Sequence, residues 1–333
     1  MNTKLYTGNG STQSITGVGF QPDFTWIKPR SQAEKHSLTD AVRGAGKVIQ
    51  SDTTVAEFTN TDYISSFISD GFSIGSNFRV NTNSTTYASW NWKANGSGSA
   101  NTDGSISSTV SVNTTAGFSI VTVSKPNTSV ATIGHGLGVT PKFIIGKDLD
   151  GVDNWTCYNE ALGNGKGIYL NATNAEATAS TFWNSTSPTS TLFTIGSDNT
   201  WNSPSIVFYC FADVPSFSKF GTYTGNGNAD GPFVYTGFKP AFIIVKDTST
   251  GASWPILDAT ISSSVNPLTG RLYTDGTNAI GTSVVCDTLS NGFKMRNTLP
   301  NCNASGNLFI YIAFAENPFV TSTDNNSIPT TAR

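Results

Sequence analysis

Charge is what this sequence has least of. Only 12% of the 333 residues are Asp, Glu, Lys or Arg, against roughly 25% in ordinary soluble domains. Long surface helices, which carry Glu and Lys on their wet side, are therefore not expected. The net charge is −3 and no basic patch stands ready to neutralise phosphates, which argues against nucleic-acid binding. Histidine occurs twice, and Cys157, Cys210, Cys286 and Cys302 form no CxxC pair. Zinc is thus disfavoured, and the cysteines read as reduced, buried residues. No apolar run approaches the roughly 18 residues that cross a bilayer. The opening MNTKLYTGNG has no apolar core of a signal peptide, so neither a membrane span nor Sec export is expected. GxSxG, HExxH and P-loop motifs are absent, as is GxGxxG after a strand. No catalytic residue, cofactor or metal is assigned, and the chain is not expected to be an enzyme.

Ser, Thr, Asn and Gly fill the space that charge leaves, beside an aromatic share of 11% that argues against disorder. Within this background one block is written three times: GFQPDFTWIK (19–28), GVTPKFIIGK (138–147) and GFKPAFIIVK (237–246). With Pro22, Pro141 and Pro240 as anchors, Lys28, Lys147 and Lys246 follow six residues later. His36, Trp155 and Trp254 then align without a gap, as do Asp40, Asn159 and Asp258. Upstream, YTGNG occurs at Tyr6–Gly10 and Tyr223–Gly227, with VSKPN (123–127) as a degenerate middle copy; its Asn-Gly reads as a hairpin turn. Downstream come GFSIGS, LFTIGS and GFKMRN, each followed by a polar loop and a closing strand: YASWNWKA, IVFYCFAD and LFIYIAFAE.

Short apolar runs, rich in β-branched and aromatic residues and bounded by Gly, Pro and Asn, are strand signals. YASWNWKA alternates, placing Trp90 and Trp92 on one face. IVFYCFA is apolar throughout, the pattern of a strand covered on both sides. The expected fold class is all-β: three tandem, related modules of β-sandwich or jelly-roll type. Whether they stand apart or close into one pseudo-threefold body is left open. The boundaries are 1–94 for module 1, 95–116 for a Ser/Gly/Asn-rich linker or peripheral loop, 117–216 and 217–318 for modules 2 and 3, and 319–333 for a C-terminal arm. SLTDAVRGAG (37–46) hints at a short helix or turn.

Taken together, YTGNG, GFxPxF, FSKFGTYTGNG (217–227), DGPFVYTGF (230–238) and AFAENPF (313–319) resemble a repeat module of virion proteins in tailed phages, marine phages among them. The resemblance implies an all-β tail-fibre, tail-spike or capsid-decoration protein located on the virion. Its partners would be other tail or capsid proteins, with an oligomer, a trimer by preference, and it supplies no catalytic motif. A tail-fibre, receptor-binding component is the leading reading. Capsid decoration or a tail collar is the first alternative and a lectin-like carbohydrate-binding module the second, with a host-surface glycan as a further partner.

Specific residues support each reading unequally. His36 shares a column with two tryptophans, which suggests a packing slot more than a catalytic base. The alternative for that column, Trp155 and Trp254 above all, is an aromatic platform for a sugar ring. Asp40 and Asp258 occupy equivalent places in different modules and align with Asn159, so they read as structural acceptors instead of a glycosidase pair. KDLDGVDN (147–154) has the carboxylates of a calcium loop, but the equivalent loops lack them, so it reads as a polar turn. The polar loops before the closing strands vary on a repeated scaffold, the usual place for specificity. They supply the remaining binding candidates, Arg79 and Trp201.

Overall fold

The structure is a computed structural model, described here for residues 1–124 and 130–315. The proposed C-terminal arm, the end of AFAENPF and part of VSKPN lie outside the described residues. The fold is all-β, built of antiparallel sheets, with helical turns of three or four residues as its only helices among the described residues.

Each repeat is a two-sheet sandwich. In module 1 the larger sheet runs in the order Asn2–Thr7, Thr86–Trp92, Phe24–Pro29, Ser37–Asp40; the smaller holds Gln13–Thr16, Gly71–Ile74 and Ile64–Ile68. Module 3 repeats the plan with Ser218–Thr224, Leu308–Ala315, Pro240–Asp247, Pro255–Asp258 and Arg271–Tyr273 over Phe233–Tyr235, Gly292–Met295 and Cys286–Leu289. In module 2, Phe118–Val123, Ile206–Phe211, Phe143–Asp148 and Thr156–Asn159 fill the same places. The repeated apolar block is thus the strand beside the closing strand, and Phe24, Phe143 and Phe242 pair with Trp92, Phe211 and Phe314.

Alternation along the closing strand of module 2 separates two cores. Ile206, Phe208 and Cys210 face the sandwich interior, while Val207, Tyr209 and Phe211 face a second core. That second core is common to all three modules and closes them into a single body. Trp92, Phe211 and Phe314 meet in a near-equilateral triangle, with ring centroids 6.3, 6.2 and 5.8 Å apart. Equivalent residues meeting one another mark a pseudo-threefold axis. Burial of aromatics on this scale dominates the energetics, and no module holds its share of this core alone.

Three local expectations need correction. Residues 95–116 are not a free linker: Ser99–Asn101 and Ser108–Asn113 extend the large sheet of module 2 as two further strands. Ser108 and Ser111 are buried there with hydrogen bonds to the Gly134 carbonyl and the Asn95 N–H, so small polar residues that read like a linker are strand residues. YTGNG is not a hairpin turn: the strand before it pairs with the closing strand in the large sheet and the strand after it belongs to the small sheet. The motif is an arch between the layers. Tyr6 stacks on Tyr87 at 4.9 Å and its hydroxyl donates to the Val80 carbonyl; Tyr223 does the same with Phe309 and Cys302. A Cβ at Gly8 or Gly225 would collide with the carbonyl of Thr82 or Ala304, and Gly10 and Gly227 adopt φ of 74° and 67°. Finally, Ser37–Asp40 is a strand, and only the residues after it turn.

Candidate functional site

The columns of the repeat assemble where module meets module. Trp155 is fully buried and its indole N–H donates to the Gln50 carbonyl of module 1 at 2.9 Å. Trp254, also fully buried, donates to the Tyr169 carbonyl of module 2 at 2.9 Å. His36 takes the same place at the third junction. Trp26 can only donate, so His36 Nδ1 accepts its N–H at 2.7 Å, and Nε2 carries the proton toward the Tyr273 carbonyl of module 3 at 2.7 Å. Burial, and then nearby Lys28, hold the imidazole pKa well below its ordinary value, so it stays neutral. These side chains are packing and hydrogen-bonding groups. A sugar platform at Trp155 or Trp254 is ruled out because neither ring has an accessible face.

The lysine column follows the same cycle. Lys28 Nζ donates to the Thr277 carbonyl at 3.0 Å, Lys147 to Thr54 at 3.1 Å and Lys246 to Thr173 at 2.9 Å, each acceptor belonging to the next module. Burial lowers each ammonium to about 8. The acidic column does two tasks. One oxygen of Asp40, Asn159 and Asp258 accepts a backbone N–H in its own turn. The second oxygen of Asp258 accepts from Trp90 Nε1 at 2.8 Å, and that of Asp40 from the Tyr209 hydroxyl at 2.7 Å, both across a junction. Asp40 and Asp258 therefore sit in different junctions and do not form a catalytic pair. Burial raises the Asp258 carboxyl pKa.

The variable loops are not the free recognition tips that the sequence suggests. Phe78–Asn81, Asn199–Trp201 and Pro300–Asn303 form short helical turns that plug the end of each sandwich with Val80, Trp201 and Cys302, all fully buried. Trp201 donates to the Phe182 carbonyl at 2.8 Å and offers no face to a ligand. Arg79 is partly exposed, but it reaches Glu34 at 3.6 Å and the Tyr63 hydroxyl at 3.1 Å. Sequence reasoning missed the burial because the flanking residues are polar. The signal lay in the columns: a Trp, Lys or Asp recurring at fixed places in apolar surroundings has a partner somewhere.

Among the described residues no group of three or more His, Cys, Asp or Glu is placed to hold a metal ion. In KDLDGVDN, Asp148 accepts the N–H groups of Asp150 and Gly151, as a polar turn does. The four cysteines are free and buried, and burial pushes each thiol pKa up, Cys302 to about 12. None has the accessible thiolate that nucleophilic chemistry needs. A shallow groove of about 710 Å³ runs along the junction of modules 1 and 2. Glu57 and Asp150 line it, yet Glu57 is engaged by Arg43 at 2.8 Å and Lys47 at 3.2 Å, and Asp150 accepts from Ser203 at 2.9 Å. No helix among the described residues is long and apolar enough to cross a membrane.

One family model, a domain of unknown function named DUF7483, matches residues 1–318. The chain belongs to the DUF7483 family. The match runs through all three modules, the span that the shared core binds into one body. No curated protein and no solved structure matches the chain.

Proposed function

We propose that this DUF7483 chain is a non-enzymatic structural protein of a tailed-phage virion, carried as a tail-fibre or receptor-binding component. The observation that supports it most is how the polar columns are used. The buried Trp and His, the lysines, Asp40 and Asp258 fasten one module to the next, so the polar groups that the repeat places in apolar surroundings are spent on joining the modules. The YTGNG and GFxPxF motifs that resemble phage virion modules are the same residues that build this block. Capsid decoration or a tail collar is the alternative position.

Partners are other tail or capsid proteins. Fibres obtain threefold symmetry from three chains; here a single chain supplies three related faces, so one copy can cap a threefold axis and three copies can stand in a trimer. Electron cryo-microscopy and mass spectrometry of the virions of a phage that encodes the protein test the proposal. Density for the three-lobed body on the tail or its fibres is expected. Density on the capsid lattice favours decoration, and a virion lacking the protein, shown by mass spectrometry, overturns the proposal.

A further inference from the structure

A body built of three equivalent modules shows what each position needs for folding, so a functional position is one where a single module departs from the others without a structural reason. Register places Ser14, Thr132 and Phe233 at one outward position of the small sheets, and Thr16, Gly134 and Tyr235 at the next. The residues between them, Ile15, Ile133 and Val234, all point inward and are buried. Modules 1 and 2 thus fold with small residues where module 3 exposes two aromatics. Phe233 is 47% and Tyr235 66% exposed. Both stand on an edge strand, facing the same way. Their rings lean over bare backbone: a Cβ at Gly292 would come within 2.9 Å of Phe233 Cε2, and one at Gly237 within 3.6 Å of the Tyr235 hydroxyl.

The surroundings indicate the ligand. Lys294 lies directly opposite Phe233, and Asp287 opposite Lys294, so all three share the outer face. Lys294 pairs with Asp230 at 2.7 Å, and Arg296 with Asp287 at 3.5 Å. Two flat apolar rings bordered by carboxylates and cations match a pyranose, which has an apolar face of C–H groups and a rim of hydroxyls. A protein partner fits less well. Two half-exposed aromatic side chains offer on the order of 200 Å², against roughly 800 Å² per partner in a stable interface. The other large exposed apolar residues are mostly single valines scattered over the surface, such as Val55, Val139 and Val152. Phe78, 51% exposed, is already covered by the Arg79 guanidinium 4.9 Å from its ring centre.

We infer that the outer face of the small sheet in module 3 is a glycan-binding site, with Phe233 and Tyr235 as stacking platforms and Asp230, Lys294 and Asp287 as hydroxyl-binding groups. The inference deepens the host-facing part of the reading above and rests on it only for where the glycan comes from; binding itself is independent of the particle. The test uses the full chain on an array of pyranose oligosaccharides, with maltohexaose, cellohexaose and chitohexaose titrated in solution by calorimetry. The comparison protein is Phe233→Ser with Tyr235→Thr, the residues that module 1 uses. Binding of at least one oligosaccharide is expected, weakened about tenfold or more in the double variant while its melting temperature is unchanged. Three results overturn the inference: no binding by the native chain up to millimolar sugar, equal binding by the intact variant, or sedimentation showing that the substitutions instead abolish self-association. Absence from virions together with sugar binding would remove the virion reading and leave this one standing.

Discussion

Two of the three junctions carry a buried aspartate of the repeat, and the third carries Asn159 in its place. Where module 1 meets module 3, Asp258 accepts from Trp90 and Thr3; where module 2 meets module 1, Asp40 accepts from Tyr209 and Arg43. Where module 3 meets module 2, Ile312 stands in the column of Trp90 and Tyr209, and Asn159 in that of the aspartates. Donor and charge disappear together. A buried carboxylate is costly unless its hydrogen bonds are made, so the chain keeps one only where the neighbour supplies a donor. All three junctions keep the lysine and the buried aromatic or histidine, whose acceptors are backbone carbonyls that do not depend on which residue stands there.

The largest loss is expected at the axis, where all three junctions converge. Trp92→Ala removes one corner of the triangle and should cost about 3–5 kcal/mol, read as a lower denaturation midpoint for the whole chain and not for module 1 alone. Asp40→Ala leaves Arg43 buried without its main partner. It should cost about 3–5 kcal/mol, whereas Asn159→Ala, which loses a turn hydrogen bond, should cost about 1 kcal/mol. Equal losses by urea unfolding would show that the two kinds of junction do not differ. Converting the third junction sharpens the contrast: Ile312→Tyr and Asn159→Asp should each destabilise, but the pair should recover about 1 kcal/mol or more in a double-mutant cycle.

A smaller effect is set by pH. The three junction lysines titrate at about 8 when folded and near the ordinary 10.4 when unfolded. Between those values the unfolded chain binds more protons, so stability should rise with pH from about 8 and its charge penalty should be complete below. Melting temperatures should therefore climb from about pH 7.5 to about 8.5, and less steeply in Lys147→Met. Above about 8.5 the four buried thiols, also raised by burial, oppose the rise because only the unfolded chain ionises. The buried tyrosines Tyr6, Tyr209 and Tyr223, raised by burial, lower stability further above about 10, where only the unfolded chain ionises. The smallest effect belongs to the loops: Arg79→Ala should change stability by under about 1 kcal/mol, because its ion pair with Glu34 is partly exposed.

The module plan was legible because strand blocks are local and the repeat aligns without gaps from Pro22 to Asp40 and its two copies. The double-sided burial of IVFYCFA was legible for the same reason. What joins the modules was not. Trp155 and Gln50 lie 105 residues apart, and Trp90 and Asp258 lie 168 apart, so nothing local pairs them. Residues 99–113 failed as a linker because small hydroxyl residues serve strands as well as loops: Ser108 and Ser111 are buried with their hydrogen bonds made to distant backbone. The platform at Phe233 and Tyr235 was present in DGPFVYTGF as a strand alternating apolar residues on both faces. Only the registers of the other modules show that its outer aromatics are exceptional.

Small-angle X-ray scattering of the purified chain tests the central claim, closure of the three modules around one aromatic axis. A closed body of this length should give a radius of gyration of about 20 Å. Three modules strung in a row should give roughly 30 Å, and that value would contradict the shared core.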